Sequence, residues 1–142
     1  MKIQRNGSAQ WSGGLKDGKG AISTQSGALK AYPYGFASRF EGVAGTNPEE
    51  LIGAAHAGCF TMALSLMLGE AGFTADRMDT SATVTLEKQA EGFSITAVHL
   101  VLRAKIPGID AAAFQALTAK AKAGCPVSKV LNTQISLDAQ LV

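Results

Sequence analysis

A chain of 142 residues has the length of one domain with room for a sizeable core. Its 46% apolar and 17% charged content describe a globular protein with a sparse charged surface, and a net charge of +2 is too small to argue for nucleic acid or anionic lipid as a partner. Met1–Gln10 carries Lys2 and Arg5 but no apolar stretch of the signal-peptide kind, so the expected compartment is the cytoplasm. There the two cysteines are expected as working thiols and not as a structural bridge.

Residues 1–12 read as a first strand with Ile3 and Trp11 as core candidates, and Ala21–Gln25 as the second strand of a hairpin. The connection between them, Gly13–Gly20, nearly matches a phosphate-binding loop through Gly13, Gly18 and Lys19. Gly20 stands where magnesium binding needs Ser or Thr, however, and no helix follows, so the stretch reads as a hairpin turn. Tyr32–Tyr34 reads as a turn around Pro33. Gly35–Glu41 alternates Phe36, Ser38 and Phe40 against Ala37, Arg39 and Glu41, which predicts a short strand.

Thr46–Gly72 predicts one long helix with Cys59 near its middle. Asn47 suits the N-cap, Pro48 the first helical position, and Glu50 the capping-box position, while Glu49 and Glu50 place negative charge at the positive end of the helix dipole. Gly72 is a left-handed C-cap candidate. No charged side chain lies between Glu50 and Glu70, so the helix is expected to be buried almost all round. Leu51–Leu68 reaches the length of a short membrane span. Its Gly and Ala content, with His56, Thr61 and Ser65 and no flanking basic cluster, reads instead as a core helix closely approached by another element.

Ser81–Leu86 and Phe93–Lys105 read as two strands joined by a turn at Lys88–Gly92. Asp110 caps a helix over Ala111–Ala123, with Phe114, Leu117 and Ala121 on one face, and Gly124 stops it. Cys125–Pro126 opens a short helix ending near Leu131, and Thr133–Leu141 is a final alternating strand. The order predicts a single α+β domain over 1–142 with antiparallel sheets around a long buried central helix. Six short strands from one chain cover such a helix poorly, which points to an intertwined homodimer.

Cys59 and Cys125 lie too far apart in sequence for a CxxC redox or zinc motif. Local context favours Cys125 as the reactive thiol, because it sits at a helix N-terminus whose free N–H groups stabilise a thiolate. Cys59 is mid-helix and needs a side-chain cation to ionise. His56, three residues before Cys59 on the same face, is a candidate base set against the commoner role of buried structural histidine. His99, on a strand, reads as structural.

The stretches Arg39-Phe40-Glu41-Gly42, Gly45-Thr46-Asn47-Pro48-Glu49-Glu50-Leu51, Ala54-Ala55-His56-Ala57-Gly58-Cys59-Phe60 and Ala123-Gly124-Cys125-Pro126-Val127-Ser128 resemble the OsmC/Ohr family of thiol-dependent hydroperoxide reductases. The likeness covers nearly the whole chain and points to the osmotically inducible OsmC branch. The resemblance implies the OsmC-like intertwined homodimer, Cys59 as the peroxidatic thiol and Cys125 as the resolving one, reversing the ranking from local context. It further implies Glu49 as the motif glutamate and Arg39 as the arginine of that branch. The organic hydroperoxide resistance branch draws its arginine from the N-terminal hairpin loop, where this chain has Leu15 and Lys16. Organic hydroperoxides are the implied substrates, with hydrogen peroxide poorer. A dithiol of the lipoyl type is the implied reductant, and no metal or flavin is implied.

On that reading, the thiolate attacks one peroxide oxygen, the alcohol leaves, and the sulfenic acid condenses with the second cysteine. A thiol of ordinary pKa is a few per cent ionised at neutral pH, so full ionisation gains at most about 30-fold, roughly 2 kcal/mol. Arg39 is therefore expected to orient the peroxide and neutralise the leaving oxygen as well, held by Glu49 in a bidentate fork. Ten residues of continuous helix separate Glu49 from Cys59 by about 15 Å. Either the helix breaks, or Glu49 and Arg39 serve the Cys59 of a second subunit, and the second is expected. Leu64, Met67, Leu68 and Phe73, ordinarily core, are candidates with Phe36 and Phe40 for an apolar substrate pocket. The alternatives are a dimeric binding module for small apolar ligands with incidental thiols, and zinc held by His56, Cys59, Cys125 and another ligand.

Overall fold

The computed structural model describes residues 1–142 and divides the chain into two units, Met1–Leu51 and Ile52–Val142. In the first, the Gly-rich turn after Ser12 reverses the chain as expected, pairing β1 (Gly7–Ser12) antiparallel with β2 (Lys19–Thr24) in the register Trp11↔Gly20. Tyr32–Tyr34 is not a turn but a short strand, β3, antiparallel to β2 on the edge of the sheet. Pro33 is tolerated there because an edge strand does not need every N–H. Its carbonyl accepts from the Thr46 N–H at 2.9 Å. Ile3 and Trp11, expected in the core, are 62% and 41% exposed: the strand starts only at Gly7 and leaves Ile3 outside the sheet, and the sheet that holds Trp11 has no buried residue in any of its three strands.

Gly35–Glu41 is the clearest departure from expectation. It is a helix, α1 (Phe36–Phe40), and not a strand. Phe36 and Phe40 fit a period of two, but they are also four residues apart, and their rings meet at 4.9 Å between centroids on one helical face. Ser38 decides between the two. Its hydroxyl accepts from the Gly35 N–H at 2.9 Å and lies 3.0 Å from the Thr46 carbonyl, closing the first turn and tying it to the approach to the next helix.

α2 runs unbroken from Pro48 to Glu70. Asn47 caps it as expected, its side-chain oxygen accepting from the Glu50 N–H at 2.9 Å, and Gly72 follows its end with φ +84°. Burial all round is not what the chain achieves. Gly53, His56, Phe60, Leu64 and Leu68 form one buried stripe, whereas Met62 and Leu66 on the other side are 76% and 64% exposed. A charge-free sequence marks both faces as apolar without saying what covers each.

In the second unit β4 (Arg77–Gln89) and β5 (Gly92–Lys105) form a long antiparallel hairpin with a bulge at Thr85/Leu86. β6 (Gln134–Leu141) pairs with β5 in parallel, so this sheet is mixed and not purely antiparallel. The reason is the crossover. α3 (Ala111–Gly124) and α4 (Pro126–Val130) carry the chain back over the sheet before β6 begins. β5 alternates Val98, Leu100, Leu102 and Ala104 inward, where the last three pack with Phe60, Leu64 and Leu68 of α2 and with Phe114 and Ala121 of α3. The α+β class and the central helix stand as expected.

The approach of β4 to α2 is close. A Cβ on Gly53 would lie 3.0 Å from the Ala82 carbonyl oxygen, whereas one on Gly69 meets nothing within 4 Å. Gly53→Val is expected to cost about 1–3 kcal/mol through overpacking. Gly69→Ala should gain up to about 1 kcal/mol of helix propensity. Urea unfolding midpoints of the two variants, moving in opposite directions from wild type, check this pair.

Candidate active site

Both cysteines converge on the N-terminus of α4. Cys125 ends α3, its N–H donating to the Ala121 carbonyl at 3.0 Å, and in extended conformation it becomes the N-cap of α4. Pro126 takes the first helical position, where its missing N–H is no loss. The next two N–H groups, which have no helical acceptor, turn to sulfur. Ser128 N–H donates to Cys125 Sγ at 3.4 Å, and the Val127 N–H favours negative charge on the sulfurs of both Cys59 and Cys125. Cys59, from the middle of α2, packs against the core cluster that contains Cys125, close enough for the two thiols to act on each other's charge. Both are free thiols, Cys125 buried and Cys59 half-buried.

Protonation is divided unequally between them. Burial pushes the Cys59 thiol up from its usual value; the Val127 N–H pulls against this, and the neighbouring Cys125 raises it further. Burial acts on Cys125 in the same sense, but hydrogen bonds from the Ser128 hydroxyl and N–H, from Cys59 and from Val127 outweigh it and leave that thiol below its usual value. Within one chain Cys125 is therefore the more readily ionised of the two thiols, as local sequence context suggests. No cation figures among the groups acting on Cys59.

A third group reaches the pair from α2. His56 is fully buried, and its Nε2 lies 2.7 Å from Ser128 Oγ, whose hydroxyl donates to Cys125 Sγ at 3.4 Å. His56 thus faces Cys125 through Ser128. Ser128 is the site residue that sequence reasoning passes over. Its signal is the Cys-Pro-Val-Ser spacing, which places a small polar side chain at the third helical position, back over its own N-cap. His56 and the two cysteines do not form a zinc site, since Nε2 is taken by Ser128 and no three His, Cys, Asp or Glu side chains converge as ligands. His99 lies on the exposed side of β5, its Nδ1 2.7 Å from Ser136 Oγ of β6, in keeping with a structural role.

The other two site candidates meet in the first unit. Arg39, in the last turn of α1, donates from Nη2 to Glu49 Oε1 at 2.7 Å and from Nε to Glu49 Oε2 at 3.2 Å, the bidentate fork expected of them. The Arg39 guanidinium also lies 5.3 Å from the centre of the Phe40 ring. Beside it is a cavity of about 180 Å³ lined by Trp11, Leu15, Tyr34, Phe36, Arg39 and Phe40. Of the apolar pocket candidates, Phe36 and Phe40 line this space, whereas Leu64 and Leu68 are fully buried core side chains.

Residues 40–140 match the family described as OsmC-like protein, and the chain is 60% identical over 141 residues to Peroxiredoxin OsmC of Escherichia coli, covering 99% of each. The chain belongs to the OsmC family. It is also similar to the organic hydroperoxide resistance protein OhrA of Bacillus subtilis, at 31% identity over 93 residues, covering 65% of this chain and 64% of OhrA. Among solved structures it resembles OhrB of Bacillus subtilis, with a TM-score of 0.73 and 29% identity, covering 95% of this chain and 98% of OhrB.

Burial holds His56 neutral, with its pKa below the usual 6.5. The unfolded chain takes up this proton first as pH falls, so stability is expected to decline below about pH 6.5 and level off only beneath the folded-state value. Urea midpoints measured from about pH 8 to about pH 5 should show that decline in wild type, with a flatter profile in His56→Gln. An identical slope in the variant would assign the pH dependence to other groups.

Proposed function

We propose that this OsmC protein is a thiol-dependent peroxidase that reduces organic hydroperoxides to alcohols, with hydrogen peroxide a poorer substrate. The observation that carries the reading is the pair of free thiols packed in one core cluster and acting on each other's charge, one half-open to solvent and one buried at a helix end whose N–H groups turn to sulfur. The names of the similar proteins, a peroxiredoxin and organic hydroperoxide resistance proteins, support the same chemistry. The 60% identity to the Escherichia coli protein extends over 141 residues and so through both units, which supports treating 1–142 as one functional domain.

In the proposed cycle the Cys59 thiolate attacks the terminal oxygen of ROOH. The O–O bond breaks, RO⁻ leaves and takes a proton, and Cys59 becomes a sulfenic acid. The Cys125 thiol gives its proton to solvent, its thiolate attacks the Cys59 sulfur, the S–O bond breaks, and the departing hydroxide takes a proton back from solvent and leaves as water. A dithiol, of the lipoyl type implied by the sequence resemblance, reduces the resulting Cys59–Cys125 disulfide by exchange. A cytoplasmic setting suits a thiol pair that must be returned to the reduced state.

The first step needs Cys59 ionised, and within one chain the balance favours Cys125. A cation has to be supplied, and we assign it to Arg39 of the partner subunit in a homodimer, oriented by its Glu49. Ten residues of unbroken α2 between Glu49 and Cys59, about 15 Å of axis, support that assignment over one within a chain. The exposed Met62 and Leu66 of α2 and the uncovered N-terminal sheet give a second copy apolar surface to bury.

Cys59→Ser should abolish hydroperoxide consumption, and mass spectrometry after one equivalent of an aromatic hydroperoxide should find wild type linked Cys59–Cys125. An unchanged rate in Cys59→Ser would favour the binding-module reading. Mixing inactive Cys59→Ser with Arg39→Ala protein tests the assignment across subunits. Half of the randomly paired dimers then hold one complete site of two, restoring about a quarter of wild-type activity. A site complete within one chain would restore none.

A further inference from the structure

The buried imidazole of α2 has one nitrogen in use and one not. Nε2 is 2.7 Å from Ser128 Oγ, while Nδ1 is buried without a hydrogen-bond partner. The two facts fix the tautomer. If the Ser128 hydroxyl proton points at Cys125 Sγ, the Nε2–H must donate to Ser128 Oγ, and Nδ1 is left as a bare acceptor. The opposite arrangement would bury a Nδ1–H donor with nothing to receive it, a state that folded proteins rarely contain. The Ser128–Cys125 geometry, with Oγ 3.4 Å from Sγ, agrees with the first arrangement.

We propose that His56 and Ser128 are positioning residues for the resolving thiol: the Nε2–H of His56 donates to Ser128 Oγ, which aims the Ser128 hydroxyl proton at Cys125 Sγ and favours negative charge on that sulfur. The proposal rests on the resolving role given to Cys125 above. A neutral chain Nε2–H···Oγ–H···S gains strength once the sulfur is negative, because the final bond becomes charge-assisted and polarises the one behind it. His56 acts here as a fixed dipole and not as a base. Its burial holds it uncharged, and a proton taken by Nδ1 would have no partner.

Other charges do not account for the effect on Cys125. α2 brings His56 and Cys59 to it, and of these Cys59 acts on it directly. Lys120 and Lys122 of α3 and Lys129 of α4 are absent from the interactions that set the Cys125 charge. β5 turns His99 and Arg103, and β6 turns Asp138, to the exposed side. The resolving step gains twice from the arrangement. The attacking sulfur is ionised more often, and its lone pairs are held in one direction. The gain from ionisation is partly offset, since a thiolate of lower pKa is a weaker nucleophile.

The Cys59→Ser background isolates Cys125, whose thiolate is followed by its ultraviolet absorbance as pH rises. Ser128→Ala in that background should move the titration up by about one unit, the size expected for one hydrogen bond to a charged group. His56→Leu should move it in the same direction, and His56→Gln, which keeps an N–H donor near the Nε2 position, should restore most of the wild-type value. With Cys59 present, disulfide formation from pre-formed sulfenic acid should slow about threefold in Ser128→Ala, the tenfold loss of thiolate being offset by higher nucleophilicity. An unmoved titration in Ser128→Ala overturns the proposal. So does a Nδ1–H tautomer of His56 in nitrogen NMR of the wild-type protein, a measurement that stands even if His56→Leu fails to fold. Trapping of sulfenic acid at Cys59 in Cys125→Ser tests the underlying cycle separately: its absence would remove the peroxidase reading while leaving the Cys125 titration to be judged by itself.

Discussion

The site depends on the burial of one stripe of α2. Phe60, Leu64 and Leu68 lie against Leu100 and Leu102 of β5 and Phe114 of α3, with His56 buried one turn earlier on the same helix. Each of the three apolar side chains contributes about 1.5–3 kcal/mol by leaving water, so the rotation of the helix about its axis is fixed by several kcal/mol. Cys59 precedes Phe60 and therefore sits at the border of the stripe, half-buried, where a sulfur can touch the core and still meet solvent. The same rotation brings His56 to Ser128. Core packing and site geometry are one constraint here, and a change that turned α2 would move both groups together.

The N-terminus of α4 is the second fixed point. A helix of five residues has little stability of its own, and this one is held by Cys125 as shared cap of α3 and α4 and by Pro126 at its first position. Its free N–H groups have sulfur as their acceptor. That choice spares the chain a charged cap and places the thiols in a field that favours negative charge. It also explains why ionisation is easier at Cys125, which receives the Ser128 hydrogen bonds, than at Cys59, where only the Val127 N–H acts against burial.

How much of this is legible in the sequence depends on the range of the interaction. Asn47 and Asp110 announce helix starts because a cap is satisfied within three residues, and both cap as read. The β4–β5 hairpin is legible from its alternation. Gly35–Glu41 is not, since Phe36 and Phe40 satisfy the strand period and the helix period alike, and the Ser38 contact to the Thr46 carbonyl that chooses between them lies outside the segment. The direction of β6 is likewise absent from its own residues, which alternate in the same way in either direction; the α3–α4 crossover sets it. At the site, the two cysteines and the Arg39–Glu49 fork follow from motif resemblance. The His56–Ser128 contact joins residues 72 apart and leaves no periodic or spacing signal.

Two features of the single chain are incomplete, and they are independent of each other. One is apolar: α2 has no charged residue from Leu51 to Gly69, yet its outer side, with Met62 and Leu66, is uncovered, as is the sheet that carries Trp11. The other is electrostatic: Cys59 carries a raised pKa with no cation acting on it, while Arg39 and Glu49 form a half-buried fork beside an aromatic cavity. In the proposed homodimer, a second copy seated on the outer side of α2 would answer the first through burial and the second by bringing a guanidinium to Cys59. Repair of one alone leaves a defect. A monomer with a polar outer face would fold without a functional thiolate at Cys59, and a local lysine would ionise Cys59 without explaining the apolar surface. That one association would meet both is the physical argument for the proposed homodimer, and it makes the apolar face of α2 and the charge at Cys59 parts of one problem.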